Sequence, residues 1–141
     1  MGLVAAAGVA AATMLATAAP AQAAGTQSYQ NRQTQYYLQY SGQGVNVTKT
    51  KDSLWTPVSA GGGAYRQIKA GGGDYCLDSN ASKNVYLTRC DPNNQYQQWS
   101  IQKNGSFIMF KSRATGLCLD AAYSTAYTNP CSPGNFYQNW F

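Results

Sequence analysis

Two stretches of the chain, Tyr65–Asp78 (YRQIKAGGGDYCLD) and Phe107–Asp120 (FIMFKSRATGLCLD), align without a gap at an offset of 42 residues, and both end in Cys-Leu-Asp. The similarity continues downstream: each stretch is followed by a second cysteine and then by a Gln-x-Trp triplet. The tryptophans of these triplets, Trp99 and Trp140, each lie nine residues after that second cysteine. A recurring period of 41 to 42 residues is typical of folds built from repeated structural units.

A third, degenerate copy lies upstream of these two. Trp55 precedes Tyr65 much as Trp99 precedes Phe107, with two extra residues in the intervening loop. Tyr37–Gln39 occupies the place that Cys-Leu-Asp occupies in the other copies. This copy lacks both cysteines, and it has Gln in place of Asp.

The local patterns indicate β-structure throughout. Short runs rich in β-branched and aromatic residues are separated at short intervals by Gly, Asn, Asp and Pro. The clearest runs are Tyr36–Tyr40, Val45–Thr48, Val85–Thr88 and Phe107–Phe110. No 11-residue stretch after the first segment shows helical periodicity. The sequence therefore predicts an all-β fold of three copies, each with about four short strands.

The first segment has the features of a secretory signal peptide. Residues 3–19 are apolar, uncharged and rich in Ala, and Ala21-Gln22-Ala23 forms an A-x-A cleavage motif. We therefore expect residues 1–23 to be removed and the protein to be secreted, with an alanine content typical of bacteria. A membrane span is not expected, since the run is short and has no basic stop-transfer flank. The polar residues 24–35 are predicted to form a flexible N-terminal arm, and residues 36–141 the folded domain.

Composition excludes several classes of function. The chain has no His, which excludes a His general base and a His-ligated metal. Its ten Lys and Arg outnumber five Asp, which gives a net charge of +5. The cations form no run that would suit a nucleic acid. A catalytic carboxylate pair is not expected, because the repeat assigns Asp78 and Asp120 to separate units. We expect neither enzymatic activity nor a cofactor or metal.

The four cysteines are even in number and are expected in an oxidising compartment. There is no C-x-x-C pair, so a zinc site is not favoured. Of the three possible pairings, the position of each pair within one repeat selects Cys76–Cys90 and Cys118–Cys131.

The order Cys-Leu-Asp, strand, Cys and Gln-x-Trp at this spacing resembles the ricin B-type lectin family. The resemblance covers residues 64–141 well and 30–63 weakly. It implies a β-trefoil, in which three four-stranded units surround a pseudo-threefold axis. It also implies a secreted, non-catalytic domain that binds sugars such as galactose-type residues in shallow pockets, at most one per unit.

The recurring large apolar residues are expected to form a core around the threefold axis. One tryptophan recurs in each unit, and large buried rings can supply much of the apolar area of a small domain. The predicted core residues are Trp55, Trp99, Trp140, Leu38, Leu77, Leu119, Ile68 and Phe110.

The resemblance also implies the site residues. Asp78 and Asp120 would accept hydrogen bonds from two sugar hydroxyls, for which a carboxylate is well suited. The alternative is an Asp that caps a turn by bonding backbone N–H groups. In either case Gln97 and Gln138 would brace the Asp. The first unit, with Gln39 at this place, is expected to have no standard pocket.

The chain departs from the family pattern at the positions around each Asp. Thr88 and Asn129 replace the aromatic platform, and Tyr96 and Tyr137 replace an Asn. Neighbouring tyrosines could supply the missing rings. The full set of candidate carbohydrate-binding residues is Asp78, Tyr86, Gln97, Asp120, Tyr123, Tyr127, Asn129 and Gln138.

Two functions are therefore open at the level of sequence. The first is a lectin whose partner is a glycan or glycoconjugate. The second is a degenerate trefoil that acts as a protein-binding adaptor in a secreted multi-protein assembly, such as a toxin. The altered pockets, the polar arm and a short closing strand at Phe141, which another secreted protein could complete, favour the second function.

Overall fold

The computed structural model describes residues 25–141, and the predicted signal peptide lies outside the described residues. Two short 3-10 turns, Gln95–Gln97 and Phe136–Gln138, interrupt an otherwise all-β chain. The strands are β1 Tyr37–Ser41, β2 Gly44–Thr48, β3 Trp55–Ala60, β4 Tyr65–Ala70, β5 Tyr75–Ser79, β6 Val85–Arg89, β7 Trp99–Asn104, β8 Phe107–Ser112, β9 Cys118–Ala121 and β10 Ala126–Asn129. The predicted all-β class is confirmed.

The strands repeat in the order that the sequence copies predict. The Cys-Leu-Asp strands β5 and β9 each pair antiparallel with the strand that follows, β6 and β10, and β1 pairs with β2 in the same way. The strand that begins at each internal tryptophan pairs with its successor, β3 with β4 and β7 with β8. Alternation along a strand sends every second side chain inward, so each unit contributes its Leu to the core.

The prediction that residues 24–35 form a flexible arm is wrong for the part that the structure describes, 25–35. Gln27 exchanges two backbone hydrogen bonds with Trp55, and Gln30 exchanges two with Phe141. Tyr29 is 1% exposed and packs edge-on against Phe110, with ring centroids 4.8 Å apart. This segment thus pairs with the closing residue Phe141, at the place where the sequence suggested that another protein could complete the strand.

A polar turn holds this segment in place. The side chain of Asn31, which is fully buried, donates to the Tyr137 carbonyl over 2.7 Å. Its amide oxygen accepts hydrogen bonds from the backbone N–H groups of Gln33 and Thr34, both at 3.1 Å. Because these bonds satisfy the backbone without apolar periodicity, the segment reads as polar and unstructured in the sequence.

The core confirms the predicted set of residues. Trp55, Trp99 and Trp140 are all 0% exposed. Each indole N–H donates to the carbonyl of the Leu on the Cys-Leu-Asp strand or its first-unit counterpart, over 3.0 Å in the first two units and 3.3 Å in the third. Leu38, Leu77, Leu119, Ile68 and Phe110 surround them, all at 0% exposure. The three units thus contribute equivalent side chains to one core.

Two disulfides link the residues that the repeat selects. Cys76 bonds Cys90 and Cys118 bonds Cys131, with Cα–Cα distances of 5.0 Å in each case. Each bond ties a Cys-Leu-Asp strand to the segment that follows its partner strand. The predicted pairing is confirmed.

Removal of one disulfide is expected to destabilise the fold strongly. The double substitution of Cys76 and Cys90 by Ala opens a loop of 14 residues in the unfolded chain and should lower the free energy of unfolding by about 3 kcal/mol. Urea denaturation at pH 7 measures the change. Wild type treated with reductant is the control and should lose at least as much stability. An unchanged midpoint in the variant would contradict the expectation.

Candidate functional site

Asp78 and Asp120 occupy equivalent places in the second and third units. Each lies on a Cys-Leu-Asp strand directly opposite a tyrosine, Tyr86 for Asp78 and Tyr127 for Asp120. Their exposed fractions are only 3% and 1%. A carboxylate this deeply buried is costly unless its oxygens are hydrogen-bonded, so its partners determine what else it can bind.

The protein supplies four hydrogen-bond donors to the carboxylate of Asp78, three of them to one oxygen. Its Oδ1 accepts the Ser79 backbone N–H at 2.7 Å. Its Oδ2 accepts from Gln97 Nε2 at 3.1 Å, from Asn94 Nδ2 at 3.2 Å, and from the Thr88 hydroxyl. A carboxylate offers about four lone-pair sites in all, so three donors saturate Oδ2. Thr88 therefore has two effects at this site. It replaces the expected aromatic ring, and its hydroxyl occupies Asp78 Oδ2.

The carboxylate of Asp120 keeps more capacity. Its Oδ1 accepts the Ala121 backbone N–H at 2.8 Å, and its Oδ2 accepts from Gln138 Nε2 at 3.0 Å and Asn135 Nδ2 at 3.2 Å. Asn129 stands where Thr88 stands in the second unit, and its amide oxygen accepts from Lys83 Nζ at 3.2 Å. The third unit thus lacks the hydroxyl that caps Asp78.

These contacts bear on both interpretations of the two Asp residues. Each does bond a backbone N–H, that of its own successor, as a turn-capping Asp would. Each is also braced by the Gln of its Gln-x-Trp triplet, as expected. Backbone and Gln contacts together leave a sugar-binding role open, and that role stays a prediction.

The third unit has an exposed tyrosine, Tyr123, that has no counterpart in the second unit. Tyr123 is 61% exposed and meets the edge of Tyr36 at a centroid distance of 5.9 Å. Burial, and then the Asp120 charge and a hydrogen bond to that carboxylate, raises the pKa of Tyr127. Burial raises the pKa of Tyr137, and the charge of Tyr123 and a hydrogen bond with it raise the pKa further. In the second unit, Ala81 stands three residues after Asp78, where the third unit has Tyr123.

The second-unit candidate Tyr86 lies opposite Asp78, but its hydroxyl binds a backbone carbonyl. Its hydroxyl donates to the Ser79 carbonyl over 3.3 Å. Burial, and then the Asp78 charge, raises the pKa of this hydroxyl. An exposed ring near Asp78 is supplied instead by Tyr96, which is 38% exposed.

The first unit has an open cavity of about 380 Å³ in the corresponding place. Gln39 lines it, but its amide donates to the Thr50 carbonyl at 2.8 Å and accepts from the Ser53 N–H at 2.9 Å. The Gln39 side chain thus stands in place of the Asp and holds its own loop through these two hydrogen bonds. The expectation that this unit has no standard pocket stays a prediction, because a cavity is present here and Gln39 stands in place of the Asp.

Asn94 and Asn135 are site residues that the sequence reasoning missed. Each accepts the backbone N–H of a tyrosine two residues later, at 3.0 Å and 3.1 Å, and so starts a 3-10 turn. Each also donates to the Asp of its unit. The signal was available, because Asn-x-Tyr-Gln occurs at the same place in both copies.

Two further classes of site are not seen in residues 25–141. This part of the chain holds no cluster of three or more His, Cys, Asp or Glu side chains that could bind a metal ion. It also contains no helix of the length and apolarity that a bilayer crossing requires.

Three repeated units built from ten strands, with a buried Asp–Gln pair in two of the units, define a lectin-type β-trefoil. A family model described as "Ricin-type beta-trefoil lectin domain" matches residues 17–140. The chain therefore belongs to the ricin-type β-trefoil lectin family. No curated protein sequence matches it.

Solved structures of low sequence identity share this fold. The GlcNAcα1-4Gal-releasing endo-β-galactosidase of Clostridium perfringens aligns with a TM-score of 0.73 at 15% identity, over 82% of this chain and 31% of that one. SeviL bound to asialo-GM1 saccharide aligns with a TM-score of 0.71 at 14% identity, over 84% and 95%. The Haemophilus ducreyi cytolethal distending toxin aligns with a TM-score of 0.69 at 12% identity, over 89% and 86%. This chain thus spans about a third of the length of the endo-β-galactosidase.

Proposed function

We propose that the protein is a secreted, non-catalytic carbohydrate-binding module whose main site is the third unit, around Asp120. The observation that carries the proposal is the difference between the two Asp sites. Asp78 Oδ2 receives a third donor from the Thr88 hydroxyl, whereas Asp120 Oδ2 accepts from Gln138 and Asn135 and has no threonine hydroxyl beside it, since Asn129 stands at that position. A sugar hydroxyl can take the place at Asp120 that Thr88 takes at Asp78.

The surroundings of Asp120 also favour a sugar. A pyranose presents hydroxyls along its edge and C–H groups on its face, so it needs both an acceptor and an aromatic ring. The exposed ring of Tyr123 provides the apolar surface, and Tyr127 provides a protonated hydroxyl beside the carboxylate. The corresponding position in the second unit, Ala81, has no ring.

Secretion and the absence of catalysis are part of the same proposal. Two disulfides are typical of an oxidising compartment and support the predicted export. Binding by a neutral hydroxyl network breaks no covalent bond. We expect an affinity near the millimolar level, about −4 kcal/mol, and little dependence on salt.

The first experiment is a glycan array with the mature protein, followed by titration with free galactose and N-acetylgalactosamine. The proposal expects binding of glycans with terminal galactose-type residues and competition by the free sugar. Clustering on the array raises the avidity of a weak site. A folded protein that binds no glycan on the array would contradict the proposal.

Tyr123→Ala tests the aromatic surface. Loss of a ring contact of about 0.5–1.5 kcal/mol should weaken sugar binding about 2- to 12-fold. The melting temperature should not change, because Tyr123 is 61% exposed. Tyr75→Ala is the matched control, since Tyr75 is 40% exposed and lies on β5 of the second unit. Equal affinities of wild type and Tyr123→Ala would exclude the ring from the site.

The adaptor function is the second candidate, and one surface favours it. The Arg32 guanidinium carbon lies 3.5 Å from the Phe136 ring centroid and 4.3 Å from that of Phe107. Phe141 packs against Phe107, and Phe136 and Phe141 are 42% and 47% exposed. Exposed aromatic clusters with Arg are typical of protein interfaces. If the array shows no glycan, this cluster is the first surface to substitute in binding assays with co-secreted proteins.

A further inference from the structure

A cavity of about 210 Å³ lies outside the Asp120 and Asp78 sites and carries a different chemistry. Two cations, Lys111 and Arg113, line it together with neutral polar side chains. The polar lining residues are Tyr65, Ser100, Gln102 and Ser112. Every lining side chain that carries a charge is therefore positive.

The β7–β8 hairpin and the turn that follows it bring the two cations to one cavity. Ser100 on β7 is the direct partner of Lys111 on β8. Gln102 lies two residues beyond Ser100 on β7, so alternation sends Ser100, Gln102 and Lys111 toward the same side of the hairpin, and Arg113 follows in the turn directly after β8. The next residues in register, Ile101 and Phe110, point the other way, and Phe110 is fully buried in the core.

The Arg113 side chain is held in position by three groups. Its backbone N–H donates to the Gln98 carbonyl at 2.8 Å, and its Nη1 donates to Gln98 Oε1 at 2.6 Å. Its guanidinium carbon lies 4.6 Å from the centroid of the Tyr65 ring. A guanidinium has five N–H donors, so this arrangement fixes its plane and leaves other donors available.

The backbone at Gly61 packs closely against the side chains of Gln98 and Arg113. A Cβ at Gly61 would lie 2.6 Å from Arg113 Nη1 and 2.5 Å from Gln98 Oε1. The residue also has a φ of +55°, which favours glycine. The loop around Gly61 thus packs directly onto the Gln98–Arg113 pair, and a larger residue there would displace it.

The paired cations occur in one unit only. The repeat alignment places Lys69 and Gly71 of the second unit at the positions of Lys111 and Arg113. The second unit therefore keeps one cation and lacks the guanidinium. The cavity is a feature of this hairpin and does not follow from the trefoil architecture.

We propose that this cavity binds a tetrahedral oxyanion, as the sulfate or phosphate group of a larger ligand. An Arg and a Lys within one small cavity attract an anion more strongly than either does alone, and a fixed guanidinium can donate to two oxygens at once. The Ser100 hydroxyl and the Gln102 amide offer further donors to the remaining oxygens. The proposal does not depend on sugar binding at Asp120.

The test is an NMR titration of the ¹⁵N-labelled mature protein with sodium sulfate, sodium phosphate and sodium acetate, with ionic strength held constant by NaCl. We expect saturable shifts of the backbone amides of residues 111–116 with sulfate and phosphate, and weaker shifts with acetate. Lys111→Gln and Arg113→Gln should each raise the dissociation constant at least tenfold. The matched control Lys69→Gln should leave it unchanged.

The source of the anion is distinguished with galactose 6-sulfate, galactose 6-phosphate and galactose. A sulfated or phosphorylated sugar that shifts residues 111–116 in wild type and not in the variants supports the proposal and identifies the preferred group. Shifts that do not saturate, or that are equal in wild type, Lys111→Gln and Arg113→Gln, overturn it. The dispersion of the variant spectra reports on folding, and having two variants keeps the test independent of either one.

Discussion

Trp99→Ala is expected to lower the free energy of unfolding by about 3–5 kcal/mol, the largest effect of any single substitution proposed for this protein. The indole is 0% exposed and its N–H donates to the Leu77 carbonyl at 3.0 Å. Alanine would leave a cavity beside Leu77 and a carbonyl without its donor. Both costs arise at once, because rigid neighbours such as Phe110 and Ile68 cannot collapse fully into the space.

Urea denaturation monitored by far-UV circular dichroism measures this loss. Trp99→Phe is the graded control, since it keeps most of the apolar area and removes the N–H, and it should cost less. Phe141→Ala is the surface control, because Phe141 is 47% exposed. A decrease in the free energy of unfolding of less than about 1 kcal/mol for Trp99→Ala would show that burial of this ring contributes little to stability.

The fold could be predicted because the repeated residues have one buried role in each unit. The tryptophans and the Leu of Cys-Leu-Asp recur with a fixed spacing because each must meet the same neighbours around the axis. The folded segment 25–35 was not predicted, because most of its contacts with the rest of the chain are hydrogen bonds of polar groups, which leave no apolar pattern in the sequence. Only Tyr29 of that segment enters the hydrophobic core, and it precedes Leu38 by nine residues just as Ile68 precedes Leu77.

The candidate site could be predicted only in outline. The Asp–Gln pairs follow from the repeat, and the structure brings Gln97 to Asp78 and Gln138 to Asp120. The capping of Asp78 by Thr88 could not be read from the sequence, because it depends on which way a hydroxyl on the partner strand points. Thr88 stands where the family has an aromatic ring, and its hydroxyl also competes with a ligand for Asp78 Oδ2.

The charged cavity shows a further limit of sequence reasoning. The ten cations are scattered along the sequence, and nothing there distinguishes Lys111 and Arg113, which lie two residues apart, from the others. Their significance depends on Gln98 and on the loop at Gly61, which are distant in the chain and meet only in the fold. A search for runs of like charge cannot find a site of this kind.

Asp120→Asn should weaken sugar binding about 10- to 150-fold, whereas Asp78→Asn should leave it within about twofold of wild type. The substitution keeps the shape of the side chain and removes its charge. Hydrogen bonds to a charged group contribute about 1.5–3 kcal/mol, which gives this range. Asp78 has no comparable role because Thr88, Asn94 and Gln97 already occupy its Oδ2.

The two variants form a matched pair, because both Asp side chains are buried, both accept a backbone N–H and both are braced by an amide. Any loss of stability from the removed charge should therefore be similar in the two, and a difference in affinity between them reports on the ligand. The measurement is titration with galactose followed by NMR, at a temperature where both variants are folded. A wild-type affinity in Asp120→Asn together with lost binding in Asp78→Asn would move the site to the second unit. That outcome would require the Thr88 hydroxyl to leave Asp78 when sugar binds.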